Sequence, residues 1–145
     1  MKNTVLLIDA NVILNYLIER GIEGEYAEKI VDFCRSGIVS GYMAFHTVSI
    51  IWYALRKKPT YERRQILLDL CKIITVTGAS HNAVISAIEN ENFKDFEDCL
   101  QEKCAEGISA DYIVTENIKD FAESEITTVT AYQMFNIIKA TSKHY

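Results

Sequence analysis

The chain opens with Thr4-Val5-Leu6-Leu7-Ile8, a continuous apolar run that stops abruptly on an acid, Asp9. A run this short and this apolar suits a strand covered on both faces, as in a parallel sheet, and the polar residue after it marks the strand's carboxyl end. The helical pattern beginning near Asn11 must then carry the chain back before another strand can be laid down parallel to the first. That alternation continues. Ala27, Ile30, Val31 and Cys34 follow the i, i+3, i+4, i+7 spacing of an amphipathic helix that stops near Ser36-Gly37. Tyr42–Phe45 reads as a second strand, and Thr47 as the cap of a helix running to about Lys57 and ended by Pro59. Thr60–Cys71 is helical, Ile73–Val76 a third strand, and Ser80 the cap of a helix with Val84, Ala87 and Ile88 facing inward. Asp95–Glu106 is a further helix, Tyr112–Val114 a fourth strand and Thr128–Val129 a fifth. Thr130 then caps a last helix whose Met134, Ile137 and Ile138 share a face. The first helix is expected over Asn11–Glu19.

Alternating strands and helices predict an α/β fold: a three-layer α/β/α arrangement with a mostly parallel sheet of four to five strands. With 145 residues, one proline and no linker or repeat, residues 1–145 are expected to form one domain. No apolar run approaches the roughly 20 residues that span a bilayer, and the amino-terminal run is too short for a signal-peptide core. A cytoplasmic protein without a membrane partner is expected. Cys34, Cys71, Cys99 and Cys104 include no Cys-x-x-Cys pair and no zinc-type spacing to histidine, so they read as buried, reduced thiols.

The net charge of −5 argues against a passive nucleic-acid binder with a basic face. It leaves room for a site that meets phosphates through bound cations.

Open sheets of this type bind ligands at the carboxyl ends of their strands, which directs attention to the acids there. Asp9 follows the first strand directly, as a helix cap, a functional carboxylate or both. Asp95, Glu97 and Asp98 open a helix, where acids favour the dipole, and Asp95 and Asp98 share a face. Asn117 and Asp120 follow the fourth strand. Three groups of oxygen donors at strand and helix ends suit a hard cation, Mg²⁺ or Mn²⁺, which activates water and offsets phosphate charge.

In three segments the chain resembles the PIN-domain family. They are Leu7-Ile8-Asp9-Ala10-Asn11-Val12-Ile13-Leu14, then Asp95-Phe96-Glu97-Asp98-Cys99-Leu100, then Tyr112-Ile113-Val114-Thr115-Glu116-Asn117 with Asp120-Phe121. Order and separations also match, so the resemblance covers roughly residues 4–135. It implies a metal-dependent endoribonuclease, hydrolysing RNA phosphodiester bonds with Mg²⁺ or Mn²⁺. It also implies a bacterial toxin held by an antitoxin protein, in a fold that often forms homodimers. The family's first and third acids fall on Asp9 and Asp98; Asn11 and Thr115 fall on positions beside the metal. Two positions depart. The second acid's place is taken by Ile50, and the fourth acid's by Asn117, with Asp120 and Asp95 as nearby compensation. The resemblance thus implies catalytic carboxylates at Asp9, Asp95, Asp98 and Asp120, with Asp9, Asp98 and Asp120 as metal ligands. The departures also admit a catalytically degenerate relative that binds RNA or protein without cutting.

Arg56, Lys57, Lys58, Arg63 and Arg64 are the one basic concentration. Arg56 and Lys57 are candidate contacts to an RNA backbone, or a solvated helix end whose cations suit the macrodipole. His46 ends the second strand as a loop histidine or a proton shuttle, and Trp52 and Tyr53 read as packing residues or stacking platforms. The Thr60–Cys71 helix can offer a partner helix an apolar groove.

Other α/β classes fit less well. An Asp-x-Asp phosphatase needs an acid where Asn11 stands, a receiver domain needs an acid pair, and a dinucleotide binder needs glycines that are absent before Gly21.

Overall fold

A computed structural model describes residues 3–18 and 21–142. The elements run β1 (Thr4–Ile8), α1 (Ala10–Leu17), α2 (Gly21–Arg35), β2 (Val39–Ala44), α3 (Phe45–Ala54), α4 (Thr60–Cys71), β3 (Thr75–Thr77), α5 (His81–Glu89), α6 (Phe96–Gly107), β4 (Tyr112–Val114), a 3₁₀ turn at Ile118–Phe121, β5 (Thr128–Val129) and α7 (Ala131–Ser142). The expected end of the first helix at Glu19 lies outside the described residues. The five strands form one sheet in the order β3-β2-β1-β4-β5, and every pairing is parallel.

The alternation of side chains along β1 separates the two faces of the core. Leu6 and Ile8 join Val12, Ile30, Met43, Val114 and Met134 on one face, under α1, α2 and α7. Leu7 joins Ala44, Phe93, Cys99, Ile113 and Phe121 on the other, under α5 and α6. Leu6, Leu7 and Ile8 are completely buried, which is why the strand carries no polar residue from Val5 until it ends.

Gly41 lies in β2 against α2. A Cβ built there meets Cys34 Sγ at 2.5 Å and Ile8 Cδ1 at 3.4 Å, so the strand and α2 approach more closely than any side chain allows. Gly41→Val is therefore expected to overpack this contact and cost about 1–3 kcal/mol. A thermal midpoint equal to the wild type's would contradict that.

The structure corrects several expectations. β2 begins at Val39, ahead of Tyr42, because Gly41 and Ser40 interrupt the apolar pattern without interrupting the ladder. α3 starts at Phe45 with Ala44 as its N-cap residue and no side-chain cap, so Thr47 lies inside the first turn. β3 starts at Thr75, two residues late. Ile88 is 65% exposed, leaving Ala87 as the buried residue of α5. Cys71 is exposed, whereas Cys34, Cys99 and Cys104 are buried free thiols. Ser80 and Thr130 do cap as expected, accepting from Ala83 N (3.1 Å) and Gln133 N (3.1 Å). No helix among the described residues is long and apolar enough to cross a membrane.

Candidate metal centre

The strand order reverses between β1 and β4: the chain moves outward through β2 and β3, then returns to the other side of β1. Helices leaving adjacent strands at such a point diverge to opposite faces, opening a crevice at the carboxyl ends. Asp9 and Thr115 occupy those two ends. Their backbones extend the sheet by one rung, Asp9 N donating to Val114 O (2.9 Å) and Thr115 N to Val129 O (2.9 Å).

The Asp9 carboxylate is buried, 7% exposed, and accepts four hydrogen bonds. Oδ1 receives Ala10 N (2.8 Å) and Gln101 Nε2 (3.2 Å); Oδ2 receives Thr115 Oγ1 (2.8 Å) and Asn11 Nδ2 (3.2 Å). Asp9 is thus both the N-cap of α1 and the centre of a polar cluster. Burial raises its pKa, the Thr115 hydroxyl and Ala10 N–H oppose that, Glu97 adds to it and His46 lowers it.

Thr115, fully buried, does more than touch Asp9. Its oxygen also accepts from Asn117 N (3.0 Å) and Asn11 Nδ2 (3.3 Å). Asn11 in turn accepts Glu116 N (3.2 Å) on Oδ1, so the loop after β4 is laced to the start of α1. Beyond the loop, Glu116 accepts Ala131 N (3.3 Å) at the start of α7.

Asp98, in the first turn of α6, is half-buried. Its pKa is pushed up to about 7, first by desolvation, then by the negative charges of Asp9, Asp95, Asp120 and Glu97. The acids from the end of β1, the start of α6 and the 3₁₀ turn therefore share one electrostatic neighbourhood. Asp95 has a second duty there: as N-cap of α6 its Oδ1 accepts Glu97 N (2.8 Å) and Asp98 N (3.2 Å). The Asn117 side chain is exposed, and Asp120 half-buried.

Arg56 and Lys57 lie past the far end of α3, whose ten residues separate them from the carboxyl edge of β2 by about 15 Å. Arg56 stacks on Tyr53 (4.3 Å), and Trp52 faces Arg63 (4.1 Å) and Arg64 (5.5 Å). Arg56 and Lys57 thus stand apart from the acid crevice. Ile50, half-buried, is one turn beyond Thr47 on α3.

Two contributors lie outside the three motif segments, and of these the sequence singles out only His46. Gln101 is fully buried, and besides Asp9 it donates to Thr47 Oγ1 (3.1 Å). His46, next to Thr47, has Nε2 buried without a hydrogen-bond partner. The sequence signal for Gln101 is its i+3 spacing from Asp98, which puts both on one face of α6.

By donor chemistry the cluster fits a hard cation: carboxylate, hydroxyl and amide oxygens with no sulfur. It is no ready-made cage, since among the described residues no three His, Cys, Asp or Glu side chains group closely enough to hold an ion. The excess negative charge around Asp98 is what a cation would relieve.

A parallel α/β/α sandwich with acids near its switch point is a scaffold that binds ligands at the carboxyl ends of its strands. Residues 5–119 match the family model described as PIN domain, and the chain belongs to that family. None of the curated proteins matches the sequence. Among solved structures, the chain is similar to VapBC-1 from nontypeable Haemophilus influenzae at 15% identity and a TM-score of 0.65, covering 89% of this chain and 99% of that one. VapBC2 from Rickettsia felis, bound to a DNA fragment from their promoter, gives 14% identity, a TM-score of 0.65 and coverage of 88% and 98%. PAE2754 from Pyrobaculum aerophilum gives 13%, 0.62, and coverage of 96% and 99%. At these identities the likeness shows the fold.

Proposed function

We propose that this protein is a metal-dependent endoribonuclease of the PIN type, the toxin of a toxin–antitoxin pair. The observation that carries this reading is the burdened carboxylate of Asp98, pushed up to about 7 by desolvation and then by the charges of Asp9, Asp95, Asp120 and Glu97 beside the switch-point crevice. Asp9, Asp98 and Asp120 would hold Mg²⁺ or Mn²⁺, which when bound supplies positive charge for a phosphate and an acidified water. The chain's own residues do the rest. Thr115 and Ala10 N–H fix the Asp9 carboxylate, Asp95 anchors the α6 turn carrying Asp98, and Asn11 and Asn117 line the approach of an RNA strand. Arg56 and Lys57 offer the RNA backbone a second contact, remote from the acids. Two solved relatives bound to DNA, one on a fragment from their promoter and FitAB on an IR36 fragment, support an antitoxin-type partner for this chain as well. A homodimer and a cytoplasmic location accord with the same reading.

Calorimetric titration of Mn²⁺ into the wild type and Asp9→Asn tests it. Micromolar to low-millimolar binding that the variant loses supports the centre; equal binding in both proteins removes it.

Ile50 and Asn117 favour a second reading, a PIN-fold protein that binds RNA or a partner without cutting. Ile50→Glu discriminates between them. It restores a carboxylate on α3 and is expected to tighten Mn²⁺ binding about tenfold or more, since ligand charge tunes affinity. Cleavage by the wild type, enhanced in Ile50→Glu, fits the nuclease. Cleavage seen in Ile50→Glu alone fits the non-cutting reading.

A further inference from the structure

We propose that Gln101 is a positioning residue that locks one oxygen of Asp9, leaving the other for the cation. This rests on the metal reading above. A fully buried carboxamide is costly unless its polar atoms are paired, and an apolar side chain of similar size would occupy the same interior position of α6 without that cost. Gln101 commits both of its N–H groups: one to Asp9 Oδ1 at 3.2 Å, the other to Thr47 Oγ1 at 3.1 Å. These partners are 92 and 54 residues away in sequence, so a single amide ties the end of β1 to α3 and α6. The acceptors also set its orientation, because the opposite rotamer would place Oε1 against a carboxylate oxygen. Oε1 is left buried and without a partner, a cost accepted to keep both donors in place.

The two carboxylate oxygens are not held alike. Oδ1 is held by the Ala10 backbone and by Gln101, neither of which can withdraw without stranding a buried donor. Oδ2 is held by Thr115, fully buried, and by Asn11, half-exposed. The Asn11 amide already has a second acceptor in Thr115 Oγ1 at 3.3 Å. A carboxylate offers about four acceptor sites and all four are taken, so a cation must displace one donor. Asn11 is the donor that can leave at least cost. Gln101 stays on Oδ1 and keeps the carboxylate from rotating as Oδ2 is released. Because Gln101 sits one turn after Asp98, α6 sets the position of both acids at once.

The test is Mn²⁺ titration by calorimetry on the full chain as wild type, Gln101→Met and Thr47→Val, with thermal midpoints measured alongside. Gln101→Met is expected to bind Mn²⁺ about 10- to 100-fold more weakly, the range for partners that orient a metal ligand. Thr47→Val removes only the amide's second anchor and is expected to weaken binding less. An unchanged Mn²⁺ dissociation constant in Gln101→Met, whatever its thermal midpoint, overturns the positioning role and leaves the metal centre standing. If Gln101→Met fails to fold, an unchanged constant in Thr47→Val overturns it instead. Absence of Mn²⁺ binding in the wild type at millimolar concentrations removes the metal centre, and the role of Gln101 with it.

Discussion

Asp98→Asn is expected to make the metal-free protein more stable and, on the nuclease reading, to abolish cleavage of RNA. The two effects have one origin. Asp98 is held at about 7 in the folded chain against 3.8 as an ordinary aspartate, because it is partly desolvated and surrounded by Asp9, Asp95, Asp120 and Glu97. Between those two pH values the native state binds a proton that the unfolded chain has released. Stability therefore falls as pH rises through that window, and the loss is complete above about 7. Asparagine cannot ionise and escapes it. At pH 8 the variant's thermal midpoint is expected to lie above the wild type's by about 3 °C or more, with the gap closing towards pH 4. Cleavage moves the other way. A cation's stabilisation of transition-state charge is worth several kcal/mol, so losing a ligand is expected to cost on the order of 10³-fold in rate. A variant that cuts as fast as the wild type would remove Asp98 from the site. One that shows no gain in stability at pH 8 would show that the surrounding charges do not burden it.

Thr115→Val is expected to lower both stability and metal affinity. Valine preserves shape, so the core beneath β4 is undisturbed. What disappears is a hydroxyl that donates to Asp9 at 2.8 Å and accepts from Asn117 N at 3.0 Å and Asn11 at 3.3 Å. The Asn117 N–H loses its acceptor and Asp9 loses its shortest side-chain donor. Unsatisfied buried groups cost about 1–3 kcal/mol each, so a fall in thermal midpoint of about 5 °C or more is expected for a chain of this size. Mn²⁺ affinity is expected to fall at least tenfold as the carboxylate loosens. Thr115→Ser keeps the hydroxyl and is the control: it should retain metal affinity while losing a little packing. Equal affinities in the Val and Ser variants would show that the hydroxyl does not orient Asp9.

The fold was legible because its signals are local. A run such as Thr4–Ile8 can hardly be anything but an interior strand, and the caps at Ser80 and Thr130 are set by residues three positions away or fewer. The places of Asp9, Asp98 and Thr115 at strand and helix ends were legible too, through the apolar runs that precede the strand ends and through motif spacing. Thr47 misled for a physical reason. A threonine at the start of a helical pattern reads as a cap, but here the strand's own backbone turns into the helix and the hydroxyl is claimed by Gln101. Gln101 itself sits in Leu100-Gln101-Glu102-Lys103, which reads as a solvated helix face. Its burial depends on α3 and the end of β1 meeting over it, and no local pattern encodes that meeting. Glu102 is similar, 5% exposed and accepting Glu125 N at 3.2 Å. The alternation expected on α5 fails at Ile88, because that helix is covered only along the line of Ala87.

The parallel sheet with β1 at its centre has a consequence for how the protein is made. Asp9 leaves the ribosome early, but Gln101 and Thr115, which hold its carboxylate, follow 92 and 106 residues later. At about 5–20 residues per second, that interval is roughly 5–20 s of translation. Until α6 and β4 arrive, β1 has one open edge and its acid has none of its distant partners. The polar cluster around Asp9 is therefore incomplete for most of the chain's synthesis, and the crevice takes shape as one of the last events.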